Sequence, residues 1–430
     1  MSTRVHPERF QTDRHPCYSI GGSHKFARIH LPVAPRCNIQ CNYCNRKFDC
    51  VNESRPGVTS KVLSPVQALA YLGEMKEKIP TIEVMGIAGP GDPFANPYET
   101  METLRLVRRR FPEMMLCLAS NGLHIGPYID EIAELDVTHV TITINAVDPK
   151  IGALVYRWVR DGDHPLKGEE GAQLMIDRQL EAVAKLAERG VAVKVNSIVI
   201  PGVNDHHIPR VAKVTKDLGA ALMNCIPLCP VEDTPFENLT EPDGIMMARV
   251  RLQSGENLSQ MSHCARCRAD AVGLLNEDRS LEFAETLQSY TEKDMPMDKS
   301  RPFVAVATQE GMLVNLHLGE ADKVIIYGHH EESDEYEIID VRRLPPHGGG
   351  DDRWKELAHE LRDCRAILVS ACGPRPKSII EGFGLAVIEM EGLIEEGLEA
   401  IYEDEEIPTS LRRRFTSCGD GCSGTGTGCG

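Results

Sequence analysis

Three cysteines are the residues of this sequence whose spacing says most about chemistry. Cys37, Cys41 and Cys44 follow the pattern C-x3-C-x2-C. Three thiolates can surround one small inorganic centre, but they do not complete the four-ligand cage of a structural zinc site. A [4Fe-4S] cluster can be held by three cysteines with one iron left open. The spacing therefore favours a reactive cluster, and a zinc knuckle with a remote fourth ligand is the alternative.

Most of the other cysteines are also grouped along the chain. The sequence has 15 cysteines among 430 residues, and disulfides are rare in the cytoplasm, so metal or cluster binding is the favoured explanation. Cys225, Cys364 and Cys372 lie in apolar runs, and we interpret them as core residues. The grouped cysteines outside the first motif are Cys50 beside it, the pair Cys264 and Cys267, and the terminal Cys418, Cys422 and Cys429.

Composition excludes several classes of partner. The formal net charge is −17, which argues against a nucleic acid or an anionic membrane held by bulk electrostatics. No apolar run is long enough to span a bilayer. The first residues contain no apolar segment of the kind found in secretory signals. We therefore expect a cytoplasmic protein with no nucleic-acid or membrane partner.

Strand-like and helical patterns alternate from about residue 26 to 230. Repeated βα units predict a parallel sheet with right-handed crossovers. Six units are too few for an eight-stranded barrel, so we predict a partial (βα)6, TIM-like barrel whose functional residues gather at the carboxyl ends of the strands. The predicted strands cover residues 27–34, 82–88, 114–119, 137–144, 191–200 and 221–226.

A change of pattern near residue 290 predicts more than one domain. Residues 1–289 form the predicted barrel with its extensions, and the polar, proline-bearing stretch 290–302 is interpreted as a linker. Residues 303–405 then restart with strands and helices, which predicts a small α/β domain. The tail 406–430 ends in a run of glycine, serine, threonine and cysteine that is too polar to fold alone.

The cysteine motif, with Tyr43 just before its last cysteine and a strand ahead of it, resembles the radical S-adenosylmethionine (SAM) superfamily. The resemblance implies that the open iron chelates SAM and that reductive cleavage gives a 5′-deoxyadenosyl radical. The segment 88–93, Ala-Gly-Pro-Gly-Asp-Pro, resembles the Gly-Gly-Glu-Pro segment of that superfamily, with Asp92 where glutamate is usual. The cofactor contacts implied by this resemblance are Gly89, Gly91, Asp92, Asn121, Thr143, Asn145, Asn196 and Ile198.

Longer segments are similar to the NifB family of nitrogenase cofactor-biosynthesis proteins. They cover residues 15–19, 28–35, 46–57 and 264–275. Residues 303–405 resemble the NifX-like, ribonuclease H-like domain that is fused to many members. The similarity thus extends over nearly the whole chain.

Membership of that family implies a specific task for the additional thiols. Such proteins hold two further [4Fe-4S] clusters as substrates and fuse them around a carbide that derives from a SAM methyl group. The implied partners are cluster donors, cofactor carrier or scaffold proteins, and a reductant of the ferredoxin or flavodoxin type. The implied ligands are His24, Cys50 and Cys117 for one substrate cluster, and Cys17, Cys264 and Cys267 for the other.

Two features near these motifs have competing interpretations. Glu53 is a candidate catalytic residue, either as a proton relay or as a late cluster ligand, but a solvated loop carboxylate is equally compatible with the sequence. The tail cysteines would deliver iron or a cluster, or else bind metal adventitiously.

Two other functions are compatible with the motifs. A radical SAM peptide maturase also carries auxiliary clusters, although its additional cysteines are generally grouped in a carboxyl-terminal extension, whereas Cys17 precedes the radical motif here. A non-enzymatic iron–sulfur scaffold would need neither SAM nor the glycines at the strand ends.

Overall fold

The fold is that of a computed structural model, which describes residues 12–47, 61–162, 164–330, 335–408 and 410–411. Within these ranges the chain forms two compact units that change over between Glu292 and Lys293, with residues 64–67 grouped with the second unit. No helix in the described ranges has both the length and the apolar character needed to cross a membrane.

The first unit alternates strands and helices, largely at the predicted positions. Its strands are β1 (Ala27–His30), β2 (Ile39–Cys41), β3 (Ile82–Ile87), β4 (Met115–Ser120), β5 (Val137–Thr143), β6 (Tyr156–Arg160), β7 (Pro165–Leu166), β8 (Ala192–Val199), β9 (Leu222–Pro227), β10 (Val272–Leu274) and β11 (Glu277–Asp278). Its helices are α1 (Ile20–Ser23), α2 (Pro65–Lys78), α3 (Pro97–Arg110), α4 (Ile129–Glu134), α5 (Pro149–Val155), α6 (Gly168–Glu188), α7 (Ile208–Asp217), α8 (Gly244–Gly255) and α9 (Ala284–Thr291).

The main sheet of this unit confirms the predicted partial barrel. Its order is β11-β10-β1-β3-β4-β5-β8-β9, and the strands from β1 to β9 in that order pair in parallel. The hairpin β10–β11 extends the sheet because β10 pairs with β1 in antiparallel orientation. The sequence pattern did not predict this hairpin.

The two faces of the main sheet differ in chemistry. Residues such as Ile29, Met85 and Val140 belong to the large apolar core that also contains the inward faces of the helices. Alternate strand residues point to the other face, and there the side chains are polar or small. Register places His30, Gly86, Cys117 and His139 side by side on this face, and we call these four residues the inner row.

The second unit is a small α/β domain, as predicted. Its main sheet has the order β15-β14-β12-β16-β17, and β13 pairs with β18 apart from it. Helix α9 continues through Tyr290 and Thr291, so the polar segment begins later than the sequence pattern indicates. The elements of this unit are β12 (Phe303–Val306), β13 (Leu313–Val314), β14 (Lys323–His330), β15 (Glu335–Arg343), α10 (Asp351–Glu360), β16 (Cys364–Val369), α11 (Pro374–Gly382), β17 (Ala386–Glu389), β18 (Gly392–Leu393) and α12 (Ile394–Tyr402).

Candidate active site

The segment 35–47, which we call the cysteine loop, is shaped by a small sheet of its own. Strand β2 lies inside the loop and pairs with β6 in antiparallel orientation. The Asn42 backbone N–H donates to Val155 O at 2.8 Å, and the Cys44 N–H donates to Cys41 O at 3.1 Å. The backbone that carries the three thiols is therefore ordered by hydrogen bonds to α5 and β6.

Two polar side chains at strand ends contact the cysteine loop. Asn121, after β4, donates from Nδ2 to Asn38 Oδ1 at 2.7 Å, and the same nitrogen lies 3.9 Å from Cys37 Sγ. Asn145, after β5, donates from Nδ2 to the hydroxyl of Tyr43 at 2.9 Å. Both asparagines are sequence-predicted site residues, and the structure brings them together with the cysteine loop.

The close backbone approach at Gly91 is to the cysteine loop. A Cβ atom placed on Gly91 would lie 2.1 Å from Arg36 O. The Asp92 N–H and the Asn96 Nδ2 both donate to that same oxygen, each at 2.8 Å. The sequence indicates a glycine that allows close approach to a ligand; in the structure Gly91 allows the loop after β3 to pack against the backbone beside Cys37.

Asp92 is buried and connects the ends of two neighbouring strands. Its carboxylate accepts hydrogen bonds from Phe94 N at 2.9 Å, Asn121 N at 2.6 Å and Ser120 Oγ at 3.1 Å. Burial raises the pKa of this carboxyl, and the hydrogen bonds oppose that rise. A contact between Asp92 and the SAM amino group remains a prediction; the described contacts give the residue a positioning role for Asn121.

Replacing Asp92 with asparagine should lower the free energy of unfolding by about 2–3 kcal/mol, because the amide NH2 that replaces one carboxylate oxygen would face either the Phe94 N–H or the Asn121 N–H, a donor against a donor. Asp148→Asn is the matched control, since Asp148 accepts a single cap hydrogen bond from Lys150 N at 2.9 Å and asparagine is an equally good cap. Urea unfolding of both variants measures the difference. Equal stability losses would contradict the bridging role of Asp92.

Of the remaining predicted cofactor residues, Thr143 lies at the end of β5, Asn196 and Ile198 lie in the second half of β8, and Gly89 follows β3. Gln179 of α6 donates from Nε2 to Thr143 O at 2.7 Å and to Asn121 O at 2.8 Å. Ile198 N donates to Asn145 Oδ1 at 2.8 Å. Asn196, also buried, accepts from Asn224 at 3.3 Å. Gly89 lies after β3, where its carbonyl accepts from Ala34 N at 3.3 Å.

The three thiols of the cysteine loop have pKa values set by burial. Burial raises the pKa of Cys37 to about 11, raises that of Cys41 well above its usual value, and raises that of Cys44. Iron binds the thiolate, so loading this site releases protons. Within the described ranges no three Cys, His, Asp or Glu side chains are grouped tightly enough for one metal ion. A [4Fe-4S] cluster binds each thiolate through a different iron, so it does not require three side chains grouped around one ion.

A buried arginine contacts one thiol of the second predicted group, Cys17, Cys264 and Cys267. Arg28 is 2% exposed, and its Nη2 donates to Cys267 Sγ at 3.3 Å and to Asp278 Oδ2 at 2.7 Å. Cys17 packs against the same apolar cluster as Cys267. Cys264 is exposed. The structure thus places Cys17 and Cys267 in one apolar cluster and sets the Arg28 guanidinium against the Cys267 thiol.

Two histidines are candidates for the site at Cys117, His24 from the sequence and His30 from the structure. His24 is exposed and caps the short helix α1, whereas His30 lies with Cys117 in the inner row. His30 Nδ1 is 2.9 Å from Arg268 O, and a carbonyl oxygen only accepts, so the Nε2 lone pair is left available. The strand alternation of Arg28 and His30 with Ala27 and Ile29 could have identified it. Cys50 and Glu53 lie outside the described residues.

Both parts of the chain match families of known proteins. The family model described as "Radical SAM superfamily" matches residues 31–214, and that described as "Dinitrogenase iron-molybdenum cofactor" matches residues 301–404. The FeMo cofactor biosynthesis protein NifB of Chlorobaculum tepidum is 50% identical over 96% of this chain and 98% of its own length. NifB of Klebsiella pneumoniae is 39% identical over 86% of each chain. NifB of Azotobacter vinelandii is 37% identical over 92% of this chain and 89% of its own.

Nearly full-length matches at this identity go beyond a shared fold, and the two family models cover the barrel and the small domain separately. The "Radical SAM superfamily" match includes the cysteine loop. This chain therefore belongs to the NifB family of FeMo cofactor biosynthesis proteins, which are radical SAM enzymes.

Proposed function

We propose that this enzyme fuses two [4Fe-4S] clusters around a carbide from a SAM methyl group, and so makes the eight-iron precursor of the nitrogenase cofactor. The observation that carries the proposal is that one compact unit contains further thiols in two places besides the cysteine loop. Cys17 and Cys267 share one apolar cluster, and Cys117 lies in the inner row. These two places would serve the two substrate clusters.

Cys37, Cys41 and Cys44 would hold the resident cluster; Cys41 is buried, and Cys37 and Cys44 are half-buried. When bound, the cluster and SAM supply a 5′-deoxyadenosyl radical that abstracts hydrogen. The protein's own part is positioning: Asn121 and Asn145 fix the cysteine loop against β4 and β5 through Asn38 and Tyr43. SAM would lie over the strand ends formed by Gly89, Asp92, Thr143, Asn196 and Ile198.

The substrate clusters would be held by the other two groups. Cys17, Cys264 and Cys267 would bind one, where the buried guanidinium of Arg28 offsets the negative charge of a thiolate-bound cluster. Cys117 would bind the second, and we propose His30 as its nitrogen ligand because metal-ligating histidines usually donate their other N–H to a carbonyl, as His30 does to Arg268 O.

His30→Ala should lose one cluster's iron after anaerobic reconstitution, because it removes the half-buried imidazole that lies on the same face of the sheet as Cys117. His24→Ala is the matched control and should keep the parent's iron and sulfide content, since His24 is exposed. Iron and sulfide analysis with electron paramagnetic resonance (EPR) measures both variants. The reverse pattern, with loss only in His24→Ala, would restore the assignment suggested by the sequence.

The reaction itself is tested with SAM labelled at its methyl carbon. The reconstituted, reduced protein is given this SAM, and both 5′-deoxyadenosine and the label in the extracted iron–sulfur product are measured. We expect both to be found. A scaffold would form no deoxyadenosine, a peptide maturase would form it only with a peptide, and absence of label from the product would refute carbide insertion.

The second unit would bind or hand over the product cluster, since its family model is described by the name of the cofactor. Cluster donors, a carrier or scaffold protein, and a ferredoxin- or flavodoxin-type reductant would be the partners. The thiols at Cys418, Cys422 and Cys429, which lie outside the described residues, would assist this delivery.

A further inference from the structure

Two histidines hold the peptide group that joins Pro16 to Cys17. His15 Nδ1 accepts a hydrogen bond from the Cys17 N–H at 3.1 Å. His263 Nε2 lies 2.9 Å from Pro16 O. The donor and the acceptor of one peptide are therefore each occupied by an imidazole, and this fixes the backbone of a predicted cluster ligand.

The second nitrogen of His263 has no partner. Pro16 O can only accept, so Nε2 carries the proton of the neutral ring and Nδ1 keeps a lone pair. That Nδ1 is buried and makes no hydrogen bond to any described residue. A buried acceptor without a hydrogen-bond partner lowers the stability of the fold. That loss is explained if the atom serves to bind a ligand.

The position of His263 identifies what that would be. His263 precedes Cys264 in the chain and is bonded to the peptide of Cys17, and Cys267 packs in the same cluster as Cys17. Histidines that bind a metal usually donate their other ring N–H to a carbonyl or carboxylate, and His263 already does so. Its environment is therefore that of a ligand prepared for iron.

We infer that His263 Nδ1 is a fourth protein ligand at the iron–sulfur substrate site formed by Cys17, Cys264 and Cys267. The inference rests on the proposed function, because it requires a cluster at these cysteines. A neutral imidazole in place of a fourth thiolate leaves the bound cluster one unit less negative, as in clusters with histidine ligands. The His15 Nε2 atom, likewise buried and without a partner, would carry a proton and donate to the cluster's sulfide.

The test isolates this site in the full-length chain. The other two sites are removed by replacing their ligands with alanine, and the protein is grown with ¹⁵N-labelled histidine. The replaced residues are His24, His30, Cys41, Cys44, Cys50 and Cys117. It is then reconstituted anaerobically with ferrous iron and sulfide and reduced, and pulsed EPR measures nitrogen coupling to the cluster. We expect a ¹⁵N coupling that is lost in both His263→Ala and His263→Gln.

The glutamine variant separates ligation from positioning. Its amide can still donate to Pro16 O, but it offers no nitrogen lone pair to iron. His207→Gln is the control: His207 is buried, accepts from Val147 N at 3.0 Å, and should leave the coupling unchanged. A coupling that persists in His263→Gln would overturn the inference while the site itself stands. If the background protein binds no cluster at all, the three-cysteine site is wrong and the proposed function loses one of its substrate sites.

Discussion

Cys41→Ala is expected to reduce formation of 5′-deoxyadenosine from SAM at least about 10³-fold. Cys41 is 6% exposed, at the end of β2, and its loss leaves two thiols for a cluster that needs three. The remaining Cys37 and Cys44 have raised thiol pKa values, so both favour the protonated thiol when no iron is bound. Single-turnover assays of the reconstituted, reduced protein measure the rate.

Cys225→Ala is the matched control for this experiment. Cys225 is fully buried in the apolar core, where burial raises its thiol pKa to about 12, so it acts as a small apolar residue. Its replacement should cost about 1–2 kcal/mol of stability and leave deoxyadenosine formation per bound iron unchanged. Comparable catalytic losses in the two variants would mean that Cys41 acts through folding and not as a ligand.

Gly91→Ala is expected to have the second largest effect, although Gly91 bears no side chain. A Cβ at this position would lie 2.1 Å from Arg36 O and 2.5 Å from Arg36 C, and both are backbone atoms with no rotamer to change. The cysteine loop would have to move. We expect a stability loss of about 3 kcal/mol or more and at least a tenfold loss of deoxyadenosine formation.

Gly73→Ala provides the control for the same chemical change. Gly73 lies within α2 with nothing inside 4 Å of its would-be Cβ, so alanine there should stabilise the protein by about 0.5–1 kcal/mol. Thermal unfolding and iron content distinguish the two variants. If Gly91→Ala retained the parent's stability and full iron content, the packing of the cysteine loop against the loop after β3 would be unimportant.

The sequence was a good guide wherever the signal was local. Ser64 before Pro65 is a local signal for a helix start, and in the structure Ser64 N donates to Gln67 Oε1 at 3.0 Å while Gln67 N donates back to Ser64 Oγ. Asn96 before Pro97 is the same signal at the start of α3, although the Asn96 side chain makes no cap hydrogen bond there. These signals depend on residues within one turn, so no tertiary contact is needed to identify them.

Features that depend on distant contacts were found only in the structure. Gly91 is required by Arg36, 55 positions away along the chain, and its turn-like surroundings suggest a ligand instead. The hairpin β10–β11 is short and is fixed by pairing with β1. Neither His24 nor His30 stands out in the sequence as the better candidate ligand. The structure distinguishes them, because it sets His30 beside Gly86 in the inner row, where a Cβ on residue 86 would lie 2.9 Å from the imidazole.

The peptide held by His15 and His263 also constrains when the backbone around Cys17 takes its final form. The bond from His263 to Pro16 O joins residues 247 positions apart, and the hydroxyl of Tyr18 reaches Ala192 O across 174 positions. Contacts between residues so far apart in the sequence form late in folding. The chain loses conformational entropy when it closes such a long loop, before neighbouring contacts compensate for that loss. The contacts of the cysteine loop with Asn121, Asn145 and β6 use only the first 160 residues. On the ribosome, these contacts of the cysteine loop can therefore form first. The bonds of the loop to Glu232 O and Phe236 N come later, and the bond to Pro16 O must wait until residue 263 has been synthesised.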